Sequence, residues 1–404
     1  MLNVDAPMCK DLATASRFAH TVGVCHLGEY LARLRGLSQA EQDAIVAAAV
    51  LHDMGIPPFG HLLEQMFDEL DPPFDHESIA RQIVEGTYAP ENRYHQIYGG
   101  LTLKVGAVLD KFNVDRDSVF RLLEARRSPT VIAGPIDLDN IDNVLRMATL
   151  LGLGSFRNLA YRLAAGLEVM PGGRVRLASR ATGPVSEWLR LRARCYEMMM
   201  YPREGIAYAA LAHDLAEVAV RKQIVTKKEW FLTDDRLMRR LLENEGTAPL
   251  ARQLETGIQY EAVSAVRLVF DAGTGPTLRG ERRRKFANAV EGRAGITGGE
   301  DLAAFVWYEY AKISRSIDVT VERGSELIGN PSSTALVALI HTRRRRGRGT
   351  ELIADVGRTW PGIVIDTARE FGDVVSVEDL PDARYFTSPA RSSDNAQLSF
   401  FGES

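Results

Sequence analysis

Between Ser38 and Pro58 the sequence specifies a helix together with both of its ends. Ser38, with Glu41 three residues on, forms a capping-box pair suited to the first free N–H groups of a helix. The run that follows, "AIVAAAVL" (44–51), is wholly apolar, so the helix it predicts is extensively buried. Gly55, Pro57 and Pro58 then stop it, because proline lacks an N–H and clashes with the turn before it. Such a helix needs other elements to cover it. Residues 11–35 supply one, with Phe18, Val22, Val24, Leu27, Leu31 and Leu34 at mixed three- and four-residue spacing. Comparable patterns predict helices over about 59–70, 76–86, 115–127, 138–152, 185–221, 233–244 and 259–270.

The composition shifts after about residue 270. "DAGTGPTLRGERRRKF" is loop-like and basic, "TALVALIHT" (334–342) predicts a strand, and "ELIADV", "GIVIDTAREFG" and "DVVSVEDL" mix strand and helix patterns. The fold class expected is mainly α: a helical domain over 1–270, a smaller α+β region over 271–385, and a flexible polar tail over 386–404. With a net charge of −4, general polyanion binding is not expected. Two local clusters, 279–286 ("RGERRRKF") and 343–349 ("RRRRGRG"), nevertheless offer phosphate contacts to a nucleic acid. The three cysteines, Cys9, Cys25 and Cys195, lie far apart without a CxxC, which gives no disulfide framework and fits the cytoplasm. No signal-peptide pattern opens the chain and no apolar run of membrane-spanning length is present, so no membrane association is expected.

The chemistry concentrates where the first helix ends. His52 and Asp53 are neighbours, and neighbours on a helix point about 100° apart, so they share a ligand most easily at a terminus. Imidazole and carboxylate suit a divalent cation such as Mn, Mg, Fe or Zn. His20 lies one turn after Arg17, on the same face of its helix. Further on, "GPIDLDNIDNVLRMATLLG" places Asp137 as an N-cap, with Asp139, Asp142 and Arg146 opposite a core-facing stripe of Leu138, Ile141, Leu145 and Ala148. A line of carboxylates on one face is costly unless a cation offsets it, which makes this helix the source of a last metal ligand. Each residue alone has a plainer reading: His20 as a core histidine, His52 as a helix-end residue, Asp139 as a solvated first-turn carboxylate.

In order, these pieces resemble the HD phosphohydrolase superfamily, and within it the deoxynucleoside triphosphate triphosphohydrolases and their bacterial relatives. "RFAHTVGV", "LHDMGIPPFGH", "FDHESIA" and "PIDLDNID" carry the resemblance, with weaker echoes in "RARCYEMMMYPRE" and "WFLTDDRLMRRLLE", so it spans roughly residues 14–245. It implies an HD-domain helical bundle and a divalent metal held by His20, His52, Asp53 and Asp139. It also implies Arg17 near the metal-bound phosphate, His76 at the scissile phosphate, Glu64 orienting His76, and His61 closing the turn. Asn143, Tyr201 and Arg203 fall where the branch contacts substrate. The implied activity is hydrolysis of a (deoxy)nucleoside triphosphate by a metal-activated water, in a homo-oligomer. The chain departs from the branch at Ile56, where relatives place a histidine, and at Asn140, Asn143 and Met147, where they place lysine, tyrosine and aspartate. Those departures leave open a nuclease or phosphodiesterase, or a nucleotide-binding regulatory protein with weakened catalysis. The tail "QLSFF" (397–401) resembles short peptides that dock on bacterial DNA sliding clamps.

Overall fold

A computed structural model of the chain describes residues 16–70, 73–87, 105–124, 129–257, 260–271, 278, 280–296, 301–321, 324–329, 332–342, 350–372 and 374–380. The architecture is mainly α. In chain order the N-terminal helices are α1 (Arg17–Leu34), α2 (Gln39–Leu51), α3 (His61–Asp68), α4 (His76–Glu85), α5 (Val105–Lys111) and α6 (Arg116–Leu123). They are followed by α7 (Leu138–Leu150), α8 (Arg157–Gly166), α9 (Thr182–Met200), α10 (Arg203–Arg221), α11 (Asp234–Glu243) and α12 (Ala248–Thr256). The strands are β1 (Leu167–Val169), β2 (Val175–Ala178), β3 (Glu261–Asp271), β4 (Leu302–Ser314), β5 (Ile317–Val321), β6 (Gly324–Ile328), β7 (Ser332–His341) and β8 (Val374–Asp379). Two further helices, α13 (Gly280–Ala294) and α14 (Thr350–Phe371), complete the C-terminal part.

The capping box at Ser38 forms as its spacing predicts: the Ser38 hydroxyl receives the Glu41 N–H and the Glu41 carboxylate receives that of Ser38. Helix α2 then buries Ala44, Ile45, Ala48, Ala49 and Leu51 against α1 and α6. Helix α7 presents Leu138, Ile141, Val144, Leu145 and Ala148 to the same core and contacts α1 and α9. The stripe that the sequence assigns to its core face is buried, which leaves Asp139 and Asp142 on the side turned to α1.

The C-terminal sheet runs β4-β7-β3-β8, all antiparallel. Its central strand β7 alternates between two cores. Leu336, Ala338 and Ile340 join the helical bundle, while Ala335, Val337 and Leu339 meet Phe286 of α13 and Trp360 of α14. The sheet is thus a middle layer, which explains why "TALVALIHT" is apolar on both faces. A smaller sheet, β1-β2-β5-β6, ties the two parts of the chain together through the parallel pair β2 and β5.

Three expectations are corrected. Residues 261–271 form β3, not a helix: Ala262, Ser264, Val266, Leu268 and Phe270 are buried at every second position. The sheet therefore begins inside the span assigned to the helical domain. The long helix expected over 185–221 is two, α9 and α10, separated at Tyr201-Pro202 because proline cannot continue a helix. Conversely, "ELIADV" and "GIVIDTAREFG" belong to one helix, α14, which carries Pro361 inside it. Among the described residues no helix is long and apolar enough to cross a membrane.

Candidate metal centre and adjoining cleft

The metal ligands that the sequence singles out come from three helices and one turn. His20 lies on α1, His52 caps the C-terminus of α2, Asp139 opens α7, and Asp53 follows in the turn that leads to α3. Ligand atoms of His20, His52 and Asp139 all lie within 4.8 Å of one another. His20 Nε2 is 2.9 Å from Asp139 Oδ1, and His52 Nε2 is 3.4 Å from His20 Nε2 and 3.7 Å from Asp139 Oδ1. Asp53 stands beside this trio, with Oδ2 at 3.6 Å from His52 Nε2, and is paired with Arg17 at 2.5 Å.

Both imidazoles are fixed from behind. His52 Nδ1 donates to the Ala49 carbonyl at 2.8 Å, so in the neutral ring the lone pair sits on Nε2, facing the cluster. His20 Nδ1 is 2.7 Å from Asp142 Oδ2, and Arg146 grips Asp142 through two bonds of 2.9 and 2.8 Å. Burial alone would lower the pKa of His20, but the hydrogen bonds and charges of Asp139 and Asp142 outweigh it and raise it to about 9. Burial raises Asp53 in turn, and the charges of His52, Arg17 and His20 outweigh that and hold it below its usual range. The sequence reading noted Asp142 and Arg146 only as part of a charged face; the structure makes them the support for His20.

Glycine is required at two points of this site. A Cβ on Gly23 would come within 2.0 Å of Asp142 Oδ1 and 2.4 Å of Arg146 Nη2. A Cβ on Gly55 would meet the His76 carbonyl oxygen at 2.2 Å. The "PPFGH" turn itself is held from afar, by a 2.8 Å bond from the Phe59 N–H to Asp234 Oδ1.

Beyond the cluster, Glu64 on α3 accepts two histidines at once. Its Oε1 bonds His76 Nδ1 and its Oε2 bonds His61 Nδ1, the latter at 2.7 Å. A carboxylate only accepts, so both Nδ1 atoms carry hydrogen and each Nε2 is left for other partners. Burial would raise Glu64, but the two histidines outweigh it and hold it at about 2. His76 is raised in turn: burial lowers it, and Glu64 outweighs that.

These groups line a cleft of about 210 Å³ shared by His52, Asp53, Ile56, His61, His76 and Asp139. Glu77 and Arg81, neighbours one turn apart on α4, also line it and were missed by the sequence reading. The signal available was their four-residue spacing beside His76 in "DHESIAR". Arg81 pairs with Glu124 at 2.5 Å and lies over the Phe120 ring.

Other sequence expectations fall elsewhere. Tyr201 is buried in the core under Arg267 of β3, whose guanidinium lies 4.9 Å from the ring centre. Arg203 donates to the Val263 carbonyl of the same strand at 3.1 Å. Both thus face the C-terminal sheet and not the cleft. Asn143 sits one turn after Asp139, with a buried Oδ1 that has no hydrogen-bond partner, and does not line the cleft. Within the cluster at 279–286, Arg284 pairs with Glu69 at 2.6 Å, Lys285 with Glu281 at 2.9 Å, and Arg282 donates to the Phe371 carbonyl at 3.2 Å. Those three cations have partners within the fold. The cluster at 343–349, the tail 386–404 and its "QLSFF" lie outside the described residues.

Comparison with known proteins agrees with this geometry. A family model described as "HD domain" matches residues 17–132. An uncharacterized protein of Bacillus subtilis, YwfO, is 27% identical over 146 residues, 35% of this chain and 30% of that protein. A deoxynucleoside triphosphate triphosphohydrolase SAMHD1 homolog of Dictyostelium discoideum is 35% identical over 81 residues, 18% of this chain and 16% of its own length. A deoxyguanosinetriphosphate triphosphohydrolase-like protein 1 of Deinococcus radiodurans is 37% identical over 73 residues, 17% of this chain and 19% of its own. The chain thus spans 30% or less of the length of these curated relatives. Over its N-terminal helices it resembles the HD-domain deoxynucleoside triphosphate triphosphohydrolases, at low identity and partial coverage.

Proposed function

We propose that this chain is a metal-dependent HD phosphohydrolase that cleaves a nucleotide phosphoester, with a (deoxy)nucleoside triphosphate as the substrate class. The observation that carries the reading is the convergence of His20, His52 and Asp139 from three helices, with both histidine rings anchored through Nδ1. Two imidazoles and a carboxylate, with Asp53 alongside, fit a divalent cation: Mn, Mg, Fe or Zn. A ligating imidazole must be deprotonated at the metal, so uptake would displace the proton shared by His20 Nε2 and Asp139. Once held there, the cation would polarise a phosphoryl oxygen and lower the pKa of a water.

The chain's own groups account for the remaining roles. Arg17 fixes Asp53 through their ion pair and brings a guanidinium to the phosphate end of the cleft. His76, whose pKa Glu64 raises, presents Nε2 to the leaving oxygen as the proton-transfer group. His61, tied to the same carboxylate through Nδ1, presents its Nε2 at the mouth. Ile56 lines the cleft where the branch has a histidine, an observation that favours a second reading: a nucleotide-binding regulatory protein with slow turnover.

The test is metal content followed by a substrate panel. The purified chain is expected to carry about one divalent transition metal per subunit, and His52→Ala combined with Asp53→Ala to remove it along with hydrolysis. Deoxynucleotides, ribonucleotides, and single-stranded DNA and RNA are then offered with Mn or Mg. Phosphate release from free nucleotides is the expected result. Chain shortening would indicate a nuclease, and bound nucleotide without product the regulatory reading. A metal-free chain whose double variant behaves like the parent would overturn the proposal.

A further inference from the structure

The metal cleft is too small to hold a whole nucleotide. Its volume of about 210 Å³ lies below the range of roughly 300–1,000 Å³ that encloses an organic ligand. A second cleft, of about 450 Å³, adjoins it, and His61 lines both. One wall of this second cleft is helical, from α3, the end of α9 and α10. The opposite wall is β4, the edge strand of the C-terminal sheet, which turns Phe305 and Trp307 to the bundle while Tyr308 packs with the second core on its other face. The cleft therefore lies between the helical bundle and the sheet, and begins where the phosphate site stops.

Its chemistry is unlike that of the metal cleft. Carboxylates from Glu64, Asp68, Glu69 and Glu309 outnumber the one guanidinium on its lining, Arg283, which disfavours a phosphate. Aromatic faces from Trp307, Phe305 and Tyr196 favour a planar ring. One buried atom on the bundle side, His213 Nε2, has no hydrogen-bond partner. His213 Nδ1 lies 4.0 Å from Asp214 and 3.9 Å from Glu217, and its ring packs edge-on against Phe305. Buried polar atoms without partners are rare in folded proteins and call for an explanation. A ligand's hydrogen-bonding groups would supply one.

We propose that this second cleft binds the nucleoside portion of the substrate, an uncharged heteroaromatic base with its sugar, and that His213 hydrogen-bonds it. The proposal rests on the reading of the metal cleft as the phosphate end of the same site. It moves substrate selection away from Asn143, Tyr201 and Arg203 and onto the C-terminal sheet. The substrate then lies with phosphates at His20, His52 and Asp139, passes His61, and places its base against β4.

The test separates the two ends of the ligand. Guanosine, adenosine, cytidine and uridine, and separately inorganic triphosphate, are titrated against the full chain with and without Mn, reading heat and the fluorescence of Trp307. At least one nucleoside is expected to bind in chelator as well as in metal. His213→Gln should weaken it by about three- to tenfold, the worth of one hydrogen bond, and leave triphosphate binding unchanged, whereas Tyr308→Phe, on the far face of β4, should change neither. The His52→Ala, Asp53→Ala double variant should show the reverse of His213→Gln. Nucleoside binding that survives in that variant supports the second cleft even if the chain hydrolyses nothing. Failure of all four nucleosides to bind, or equal loss of nucleoside and triphosphate in His213→Gln, overturns the proposal.

Discussion

The two clefts are built differently from the same chain. The metal cleft is made by short elements close in sequence to their own determinants: a capped helix end, a Pro-Pro turn, and an N-cap that starts α7. Its side chains are saturated, with each imidazole tied to a carbonyl or carboxylate. The second cleft is made by apposition of β4 to helices about a hundred residues or more earlier in the chain, and the buried Nε2 of His213 on its wall remains without a partner. Saturation fixes geometry before any ligand arrives, which is what phosphoryl chemistry demands. An unsatisfied group on a wall shared by two layers suits recognition, where the ligand completes the bonding.

This contrast is most sharply broken by removing the metal ligands, where the His52→Ala, Asp53→Ala variant should lose hydrolysis outright and keep nucleoside binding. Next in size is Gly23→Ala. The added Cβ would collide with Asp142 and Arg146, so Asp142 must leave its place behind His20. Metal affinity is expected to fall by about 10–100-fold, the usual cost of losing a group that orients a ligand. Overpacking should cost roughly 1–3 kcal/mol of stability as well. Metal titration and urea unfolding read the two effects separately, and unchanged metal affinity would show that Asp142 does not position His20.

A smaller effect is expected from Glu64→Gln, which leaves metal content intact. An amide oxygen cannot serve two Nδ1–H groups as the carboxylate does, so His76 or His61 loses its orientation, and turnover should drop by about tenfold. The pH dependence sharpens the test. Glu64 is held at about 2, below its ordinary 4.5, so its stabilising contribution is present above 4.5 and is lost as pH falls towards 2. His76 is raised above its ordinary 6.5, so its contribution is present below 6.5 and is lost as pH rises through the elevated value. Urea midpoints of the parent chain should therefore fall between pH 4.5 and 2 more steeply than those of Glu64→Gln. Equal slopes would mean that the carboxylate does not hold the histidines as described.

The same contrast explains what the sequence reveals. His20, His52 and Asp139 are legible because helix periodicity and terminus signals act within a few residues, and three such signals in order leave few arrangements. Asp142 is half-legible: its spacing from Asp139 and Arg146 shows a charged face, but not that α1 approaches closely enough at Gly23 for Asp142 to meet His20. The strand β3 is not legible as such, since Val263, Val266 and Phe270 match a helical spacing, and only pairing with β7 and β8 decides for the sheet. Without β3 in place, nothing in the sequence says that β4 reaches α3, so Trp307 and His213 carry no readable sign of a shared cleft.

Tyr201 gives the smallest expected effect, and it tests that last point directly. By resemblance it belongs to the substrate site, yet here its ring is buried beneath Arg267 and outside both clefts. Burial, against the nearby Arg267 charge, pushes its hydroxyl up to about 12, so the group is neutral throughout the working range. Tyr201→Phe keeps the ring, and with it the cation–π contact, whose worth is about 0.5–2 kcal/mol. Turnover, KM and nucleoside affinity should all stay within about twofold, and stability within roughly 0.5 kcal/mol, as for a substitution away from any strained or paired group. A KM raised tenfold with stability unchanged would instead place Tyr201 against the substrate. The boundary between the phosphate and nucleoside compartments would then have to be redrawn around β3.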